Sequence, residues 1–115
     1  MEKQYDLGFL KDYFNDDLES ILPILHLYLE ETPRELSLIE SYLLKNETAA
    51  AKAATHKIKT NIAMLGIQNT GSFINDMHLL KADDKITGAH LNSFMQFKKA
   101  VNDGLEEMSR DFFSN

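Results

Sequence analysis

The sequence contains no cysteine, and no run approaches the roughly 20 consecutive apolar residues that a helix needs to span a bilayer. The missing thiols exclude disulfides, thiolate metal sites and cysteine nucleophiles. The opening segment, M-E-K-Q-Y-D, lacks the apolar core of a signal peptide. We therefore expect a cytoplasmic protein with no part in the membrane.

Basic residues are also scarce. The chain has 12 lysines and arginines against 18 aspartates and glutamates, which gives a formal net charge of −6 at pH 7. A protein that contacts nucleic-acid phosphates needs a basic surface, so this balance argues against nucleic acid as a partner. An acidic surface is otherwise typical of a soluble protein.

The length and the hydrophobic content fit a single domain over residues 1–115. A chain of this length can bury a modest core, and a hydrophobic content of 43% argues against disorder. Apolar residues recur at helical spacing, and we find no strand pattern, internal repeat, low-complexity segment or linker. The sequence therefore predicts an all-α protein, an up-down antiparallel four-helix bundle with a short N-terminal capping helix.

Capping signals predict where the helices begin and end. Asp6 can cap a short helix through Phe14, and Asp16 with Glu19 can form a capping box for the next helix. A second capping box is predicted at Thr32-Pro33-Arg34-Glu35, where the long helix kinks or restarts, and Asn46 is predicted to end that helix. A further helix is predicted to start within Gln68–Ser72, and the last helix is predicted to open at Thr87 or Asn92.

The long second helix carries two sets of apolar residues. Its main stripe is Leu18, Ile21, Leu22, Leu25, Leu29, Leu36, Ile39 and Leu43. Leu27, Tyr28, Leu38 and Tyr42 lie off this stripe. They either widen the buried face so that it packs on two neighbours, or form an apolar edge beside the histidine face described next.

The alanine-rich segment from Ala49 to Gly66 predicts one helix with two unlike faces. At about 100° per residue, its core stripe consists of Ala51, Ala54, Ile58, Ile62 and Leu65. The opposite face consists of Ala49, Lys52, Ala53, His56, Lys59, Thr60 and Ala63. Small side chains on a solvent face are unusual. They surround one imidazole, and Lys59 lies three residues further on, so its ammonium can reach the space beside the ring.

A family resemblance rests on this helix. His56-Lys57-Ile58-Lys59 followed by Gly66 resembles the H-x-[LI]-K-[GS]-x(5)-G signature of histidine-containing phosphotransfer (HPt) domains, the phosphocarriers of two-component phosphorelays. Tyr5-Asp6-Leu7, Asp16-Asp17 and the segment from Leu29 to Leu36, with its Thr32-Pro33, resemble the opening of many single-domain members. The similarity extends from about Tyr5 to Leu80.

The resemblance implies a phosphocarrier rather than an enzyme. His56 would be the phosphorylated nucleophile, and Lys59 would stabilise the phosphoryl group. The surface that a partner covers would comprise Ala53, Lys57, Thr60, Ala63, Met64 and Gly66, with Lys57 at its rim. The partners would be receiver domains of hybrid sensor histidine kinases and of response regulators. The carrier would need no cofactor or metal, since Mg²⁺ belongs to the receiver, and it would be a monomer. The initiating methionine favours a free-standing chain over part of a larger kinase.

Thr60 departs from the family pattern, which has glycine or serine at this position. Threonine adds bulk one turn from the imidazole, and its hydroxyl can help to orient the ring. A second hypothesis is therefore a helical module that binds receiver domains or kinases without being phosphorylated.

A third hypothesis is a carboxylate–histidine metal bundle. It is disfavoured because no inward stripe carries an E-x-x-H motif. We interpret the remaining histidines and the adjacent acidic pairs as core-edge or surface residues: His26, His78, His90, Glu30-Glu31, Asp83-Asp84 and Glu106-Glu107.

Overall fold

The computed structural model describes residues 3–113, and within this range it is all-helical and contains no strand. Its helices are α1 (Gly8–Tyr13), α2 (Leu18–Leu44), α3 (Thr48–Leu65), α4 (Gly71–Leu79) and α5 (Gly88–Phe113). α2 packs against α3 and α5, α4 lies against α3 and α5, and α1 contacts both α2 and α3. None of the described helices combines the length and the apolar character that crossing a membrane requires.

The core lies between α2, α3 and α5. The predicted α3 stripe is confirmed, because Ala51, Ile58 and Leu65 have no exposed surface and Ile62 is buried. From α4 and α5, Phe73, Phe94 and Phe97 form an aromatic cluster with ring centroids 4.8–6.2 Å apart. Aromatic rings bury large areas and favour such tilted contacts.

α2 is one continuous helix that contains both Pro23 and Pro33, so of the two alternatives predicted at Pro33, a kink or a restart, the restart is wrong. The predicted capping box there is wrong as well. Thr32 and Glu35 are buried, and each accepts a hydrogen bond from the side chain of Asn61 in α3. A buried polar group needs a partner more than a surface one does, and here the partner comes from the neighbouring helix.

The predicted start of α2 is one residue too early. Asp16 is in the left-handed conformation, with φ of 60°. Asp17 occupies the N-cap position, and its carboxylate accepts a 2.8 Å hydrogen bond from the hydroxyl of Ser20. Leu18 is consequently half exposed rather than part of the core stripe.

The predicted start of α1 is also one residue too early, because Leu7 occupies the N-cap position. The carboxylate of Asp6 nevertheless accepts a hydrogen bond from the backbone N–H of Gly8, the first residue of α1. Two other boundaries agree with the predictions. Asn46 is left-handed just beyond α2. α5 starts directly after Thr87, which settles the choice between Thr87 and Asn92.

Gly66 ends α3 and lets the N-terminal segment cross it. Its φ of 60° lies in the left-handed region that glycine adopts without cost. The backbone N–H of Asp6 donates to the carbonyl of Leu65, and that of Gln68 donates to the carbonyl of Gln4. A Cβ atom on Gly66 would lie 2.0 Å from the carbonyl oxygen of Asp6. The backbone that comes closest to Gly66 is therefore that of the N-terminal segment.

We predict that Gly66→Ala destabilises the protein by about 2–4 kcal/mol, because the new methyl group must displace the N-terminal segment and strains a left-handed residue. Urea unfolding followed by circular dichroism measures the change. Gly71→Ala is the matched control, since a Cβ there meets nothing within 4 Å. Equal stability of the two variants would contradict this role of Gly66.

Candidate functional site

The face of α3 that is opposite the core is uncovered, as predicted. We call five exposed residues in its central and C-terminal part the platform: Ala53, His56, Lys59, Thr60 and Ala63. The buried stripe holds the helix in one orientation, and the small alanine side chains leave the imidazole standing above its surroundings.

His56 and Lys59 each line two open grooves. The α4 groove, of about 140 Å³, is bounded by Lys52, Thr55, His56, Lys59, Ile74, Met77 and His78. The α1 groove, of about 360 Å³, is bounded by Phe9, His56, Lys59, Thr60, Ala63 and Met64. The pair therefore occupies the boundary between the two grooves, where a molecule approaching from outside can reach it.

The α1 groove continues into an exposed apolar surface. We call this surface the apolar shelf, and it is formed by Phe9, Tyr13, Leu27, Tyr28 and Met64. Phe9, Tyr13 and Leu27 are 55%, 71% and 52% exposed. A contiguous patch of large exposed apolar side chains is typical of a surface that contacts another protein. Two of the α2 residues outside the main stripe, Leu27 and Tyr28, thus lie on the apolar edge that was one of the two alternatives. Tyr28 and Tyr42 also pack against the core, as the other alternative required.

Lys52 does not belong to the platform. Its ammonium turns to the C-terminal end of α4, where it donates to the carbonyls of Met77 at 3.0 Å, His78 at 3.3 Å and Leu80. A cation satisfies the free carbonyls at a helix C-terminus and interacts favourably with the helix dipole. Lys52 thereby fixes the wall of the α4 groove against α3.

His56 and Lys59 have no hydrogen-bond or ion-pair partner among residues 3–113. Lys57 points toward α2 instead, with its ammonium 3.8 Å from the carboxylate of Glu35. The imidazole nitrogens and the ammonium group of Lys59 are therefore available to a molecule that enters either groove.

The remaining predicted partner-binding residues lie in different surroundings. Met64 is half-buried in the α1 groove, so the structure brings it together with the platform. Gly66 lies at the helix end beneath the backbone of Asp6, separate from the platform. Sequence reasoning did not identify Phe9, Ile74 and His78 as neighbours of His56, because they come from other helices.

A buried polar cluster lies on the α2 side of α3. Asn61 donates to the Glu35 carboxylate at 3.0 Å and to the Thr32 hydroxyl at 3.3 Å. The Glu35 side chain is only 8% exposed. Burial raises the pKa of Glu35 above its usual range, and the nearby Lys57 opposes this rise. The cluster fixes how α3 is rotated against α2, and so which residues the platform presents.

The described residues contain no group of three or more histidine, aspartate, glutamate or cysteine side chains that could hold a metal ion. Comparisons of the chain with protein-family models, with curated proteins and with solved structures found no match. A functional assignment therefore depends on the geometry around His56 and on the motif that contains it.

We predict that Glu35→Gln gains stability relative to the wild type as the pH rises. The pKa of Glu35 is higher in the folded state than in the unfolded state, where it is near 4.5. The favourable contribution of Glu35 to folding stability is therefore present below the unfolded-state pKa, and it is lost as the pH rises through the folded-state pKa. Urea unfolding at about pH 4 and about pH 7.5 measures the difference. Glu106→Gln, at an exposed position, is the control, and a pH-independent difference for Glu35→Gln would contradict the prediction.

Proposed function

We propose that this protein is a histidine phosphocarrier of a two-component phosphorelay. In this proposal α2–α5 form an up-down four-helix bundle, α1 caps one end, and His56 carries the phosphoryl group between receiver-domain aspartates. The observation that carries the proposal is an exposed, unpartnered imidazole beside the unpartnered Lys59, on a helix face otherwise made of small residues.

The chemistry requires a neutral imidazole. A ring nitrogen of His56 attacks the phosphorus of a receiver's aspartyl phosphate, a P–N bond forms, and the P–O bond to the aspartate breaks. The aspartate leaves as a carboxylate with the bonding electron pair. A neutral imidazole already has one ring nitrogen with a free lone pair, so this attack needs no general base.

Lys59 acts on the charge of the transferred group. The transition state of phosphoryl transfer is loose, and charge is spread over the equatorial oxygens, so positioning and nearby positive charge supply most of the catalysis. Lys59 is the one cation of the platform and lines both grooves beside His56. The receiver would supply the aspartate, the Mg²⁺ and the remaining catalytic groups, which is why the carrier needs no enclosed pocket.

The platform and the apolar shelf together form the proposed partner surface. A receiver helix would lie across Ala53, Thr60 and Ala63, place apolar side chains against Met64 and the shelf, and meet Lys57 at the rim. Gly66 would affect the partner surface only indirectly, by allowing the N-terminal segment to cross the end of α3. Contacts of this kind in signalling are small and transient, so the carrier would remain a monomer in the cytoplasm.

The direct test is intact mass after treatment with phosphoramidate, a small donor of phosphoryl groups to histidine. We expect one acid-labile phosphoryl group on the wild type and none on His56→Gln. His26→Gln is the matched control, because His26 is an exposed histidine of α2 that pairs with Glu30. Modification of His56→Gln at the wild-type level, or none on the folded wild type, would refute the phosphocarrier.

A second candidate function is a module that binds receivers without being phosphorylated. Thr60 favours it, because this exposed threonine stands one turn from His56 where the resembled family has a smaller residue. This candidate requires receiver binding that is unchanged in His56→Gln, together with an unphosphorylated wild type. Thr60→Gly would then restore phosphorylation if the bulk of the threonine is the cause.

We predict that Ala63→Arg leaves the helix content unchanged but lowers the rate of phosphoryl transfer to a receiver at least about tenfold. The long side chain of arginine would fill the α1 groove, and removing its charge from water against an apolar partner would cost binding free energy. Ala89→Arg, at an exposed position in the first turn of α5, is the control. The rate is measured by mixing phosphoryl-labelled carrier with the receiver, quenching the reaction at set times and following the label. If the two variants transfer equally fast, the partner surface is assigned to the wrong face.

A further inference from the structure

The α4 groove is basic in an acidic protein. The chain has a net charge of −6, yet the groove is lined by four cationic or protonatable side chains and by no carboxylate: Lys52, His56, Lys59 and His78. Such a local excess of one charge concentrates counter-ions of the opposite sign. The groove therefore favours a small anion beside His56.

Two of the polar side chains in the groove already have partners. The hydroxyl of Thr55 donates to the carbonyl of Ala51 at 2.8 Å. The ammonium of Lys52 donates to the backbone carbonyls at the end of α4, including that of His78. The side chains left to bind an anion are Lys59 on the α3 side and His78 on the α4 side, above an apolar floor of Ile74 and Met77.

We infer that the α4 groove is an oxyanion-binding site in which Lys59 and the imidazole of His78 hold the phosphoryl oxygens from two sides while His56 bonds to phosphorus. This inference rests on the proposed function and deepens it, because it assigns His78 as a further phosphoryl-binding residue. A lysine supplies a charge that persists at neutral pH, whereas a histidine supplies one that is lost as the pH rises.

The pH dependence comes from the groups that face His78. From α3 these are Lys52, His56 and Lys59, and from α5 no side chain lines the groove. Asp76, on the same helix as His78, lies on another side of α4, where it accepts a hydrogen bond from Ser93 of α5. A histidine that binds an anion through its charge does so less well as the pH rises, so we expect the contribution of His78 to anion binding to weaken with rising pH.

Phosphoramidate is both a reagent and a probe for this site. The reagent reacts in its N-protonated form: a ring nitrogen of His56 forms the bond to phosphorus, the P–N bond of the reagent breaks, and neutral ammonia leaves with the bonding electron pair. The oxygens of the reagent are those of the phosphoryl group, so its half-saturating concentration reports how well the groove binds them.

The first experiment measures phosphorylation rate against phosphoramidate concentration for the wild type, His78→Gln and His26→Gln at about pH 6 and about pH 8. We expect the half-saturating concentration of His78→Gln to be about threefold to fivefold above that of the wild type at the lower pH, as for one partly solvated charge interaction. At the higher pH the difference between the two should be smaller, and His26→Gln should match the wild type throughout. Comparing the variants at the same pH cancels any change in the reactivity of His56 itself.

The inference is overturned if His78→Gln saturates like the wild type at both pH values, or if its shift is the same at both. The inference is also overturned if His26→Gln raises the half-saturating concentration as much as His78→Gln does, because the effect would then reflect the overall charge of the protein.

A second experiment separates the groove from the proposed function. Inorganic phosphate is titrated into the wild type near pH 6, with chloride at matched ionic strength as the control, and the carbon-bound ring protons of each histidine are followed by NMR. We expect saturable shifts of the His78 signals that the His26 signals do not share. This result supports the site even if phosphoramidate leaves His56 unmodified, which would refute the phosphocarrier alone. His78 signals that move no more than those of His26 refute the site.

Discussion

The packing of α3 against α2 determines what the rest of the surface can do. Ala51, Ile58 and Leu65 bury one side of α3 completely, and the hydrogen bonds of Asn61 to Glu35 and Thr32 fix the rotation of the helix. Because side chains on a helix are fixed relative to one another, holding one face in the core forces His56 to the outside. The same constraint places Lys59 one turn further along the exposed face.

The neighbouring helices turn this exposed face into a site. α1 adds an apolar surface on one side, and α4 adds a basic groove on the other. Lys52 holds the end of α4 against α3, so the groove has a defined wall. A phosphocarrier must be accessible to a partner's reacting groups and must not enclose the phosphoryl group. The two grooves beside the exposed imidazole of His56 meet both requirements of the proposed phosphocarrier.

Local patterns predicted the helices and the exposed face well, but they did not predict the neighbours of that face. Periodicity identified the two faces of α3, and helix ends were expected at Asn46 and Gly66, because these properties depend on adjacent residues. Thr32 and Glu35 have the spacing of a helix cap, and only the position of Asn61 on another helix makes them a buried cluster.

His78 was interpreted as an ordinary surface or core-edge residue because its relation to His56 depends on how α4 packs on α3. Lys52 was placed on the solvent face for a similar reason. Its helical position is correct, but its long side chain reaches the carbonyls at the end of a helix that local spacing cannot locate.

The most direct test of the account is transfer between two proteins. Carrier labelled on histidine by phosphoramidate is purified and mixed with purified receiver domains and Mg²⁺, and the label is followed on both proteins over time. The account predicts that label leaves the wild-type carrier and appears as an acyl phosphate on at least one receiver, and that His56→Gln neither takes up nor passes on label. Label that stays on the carrier with every receiver, or transfer that persists in His56→Gln, would contradict it.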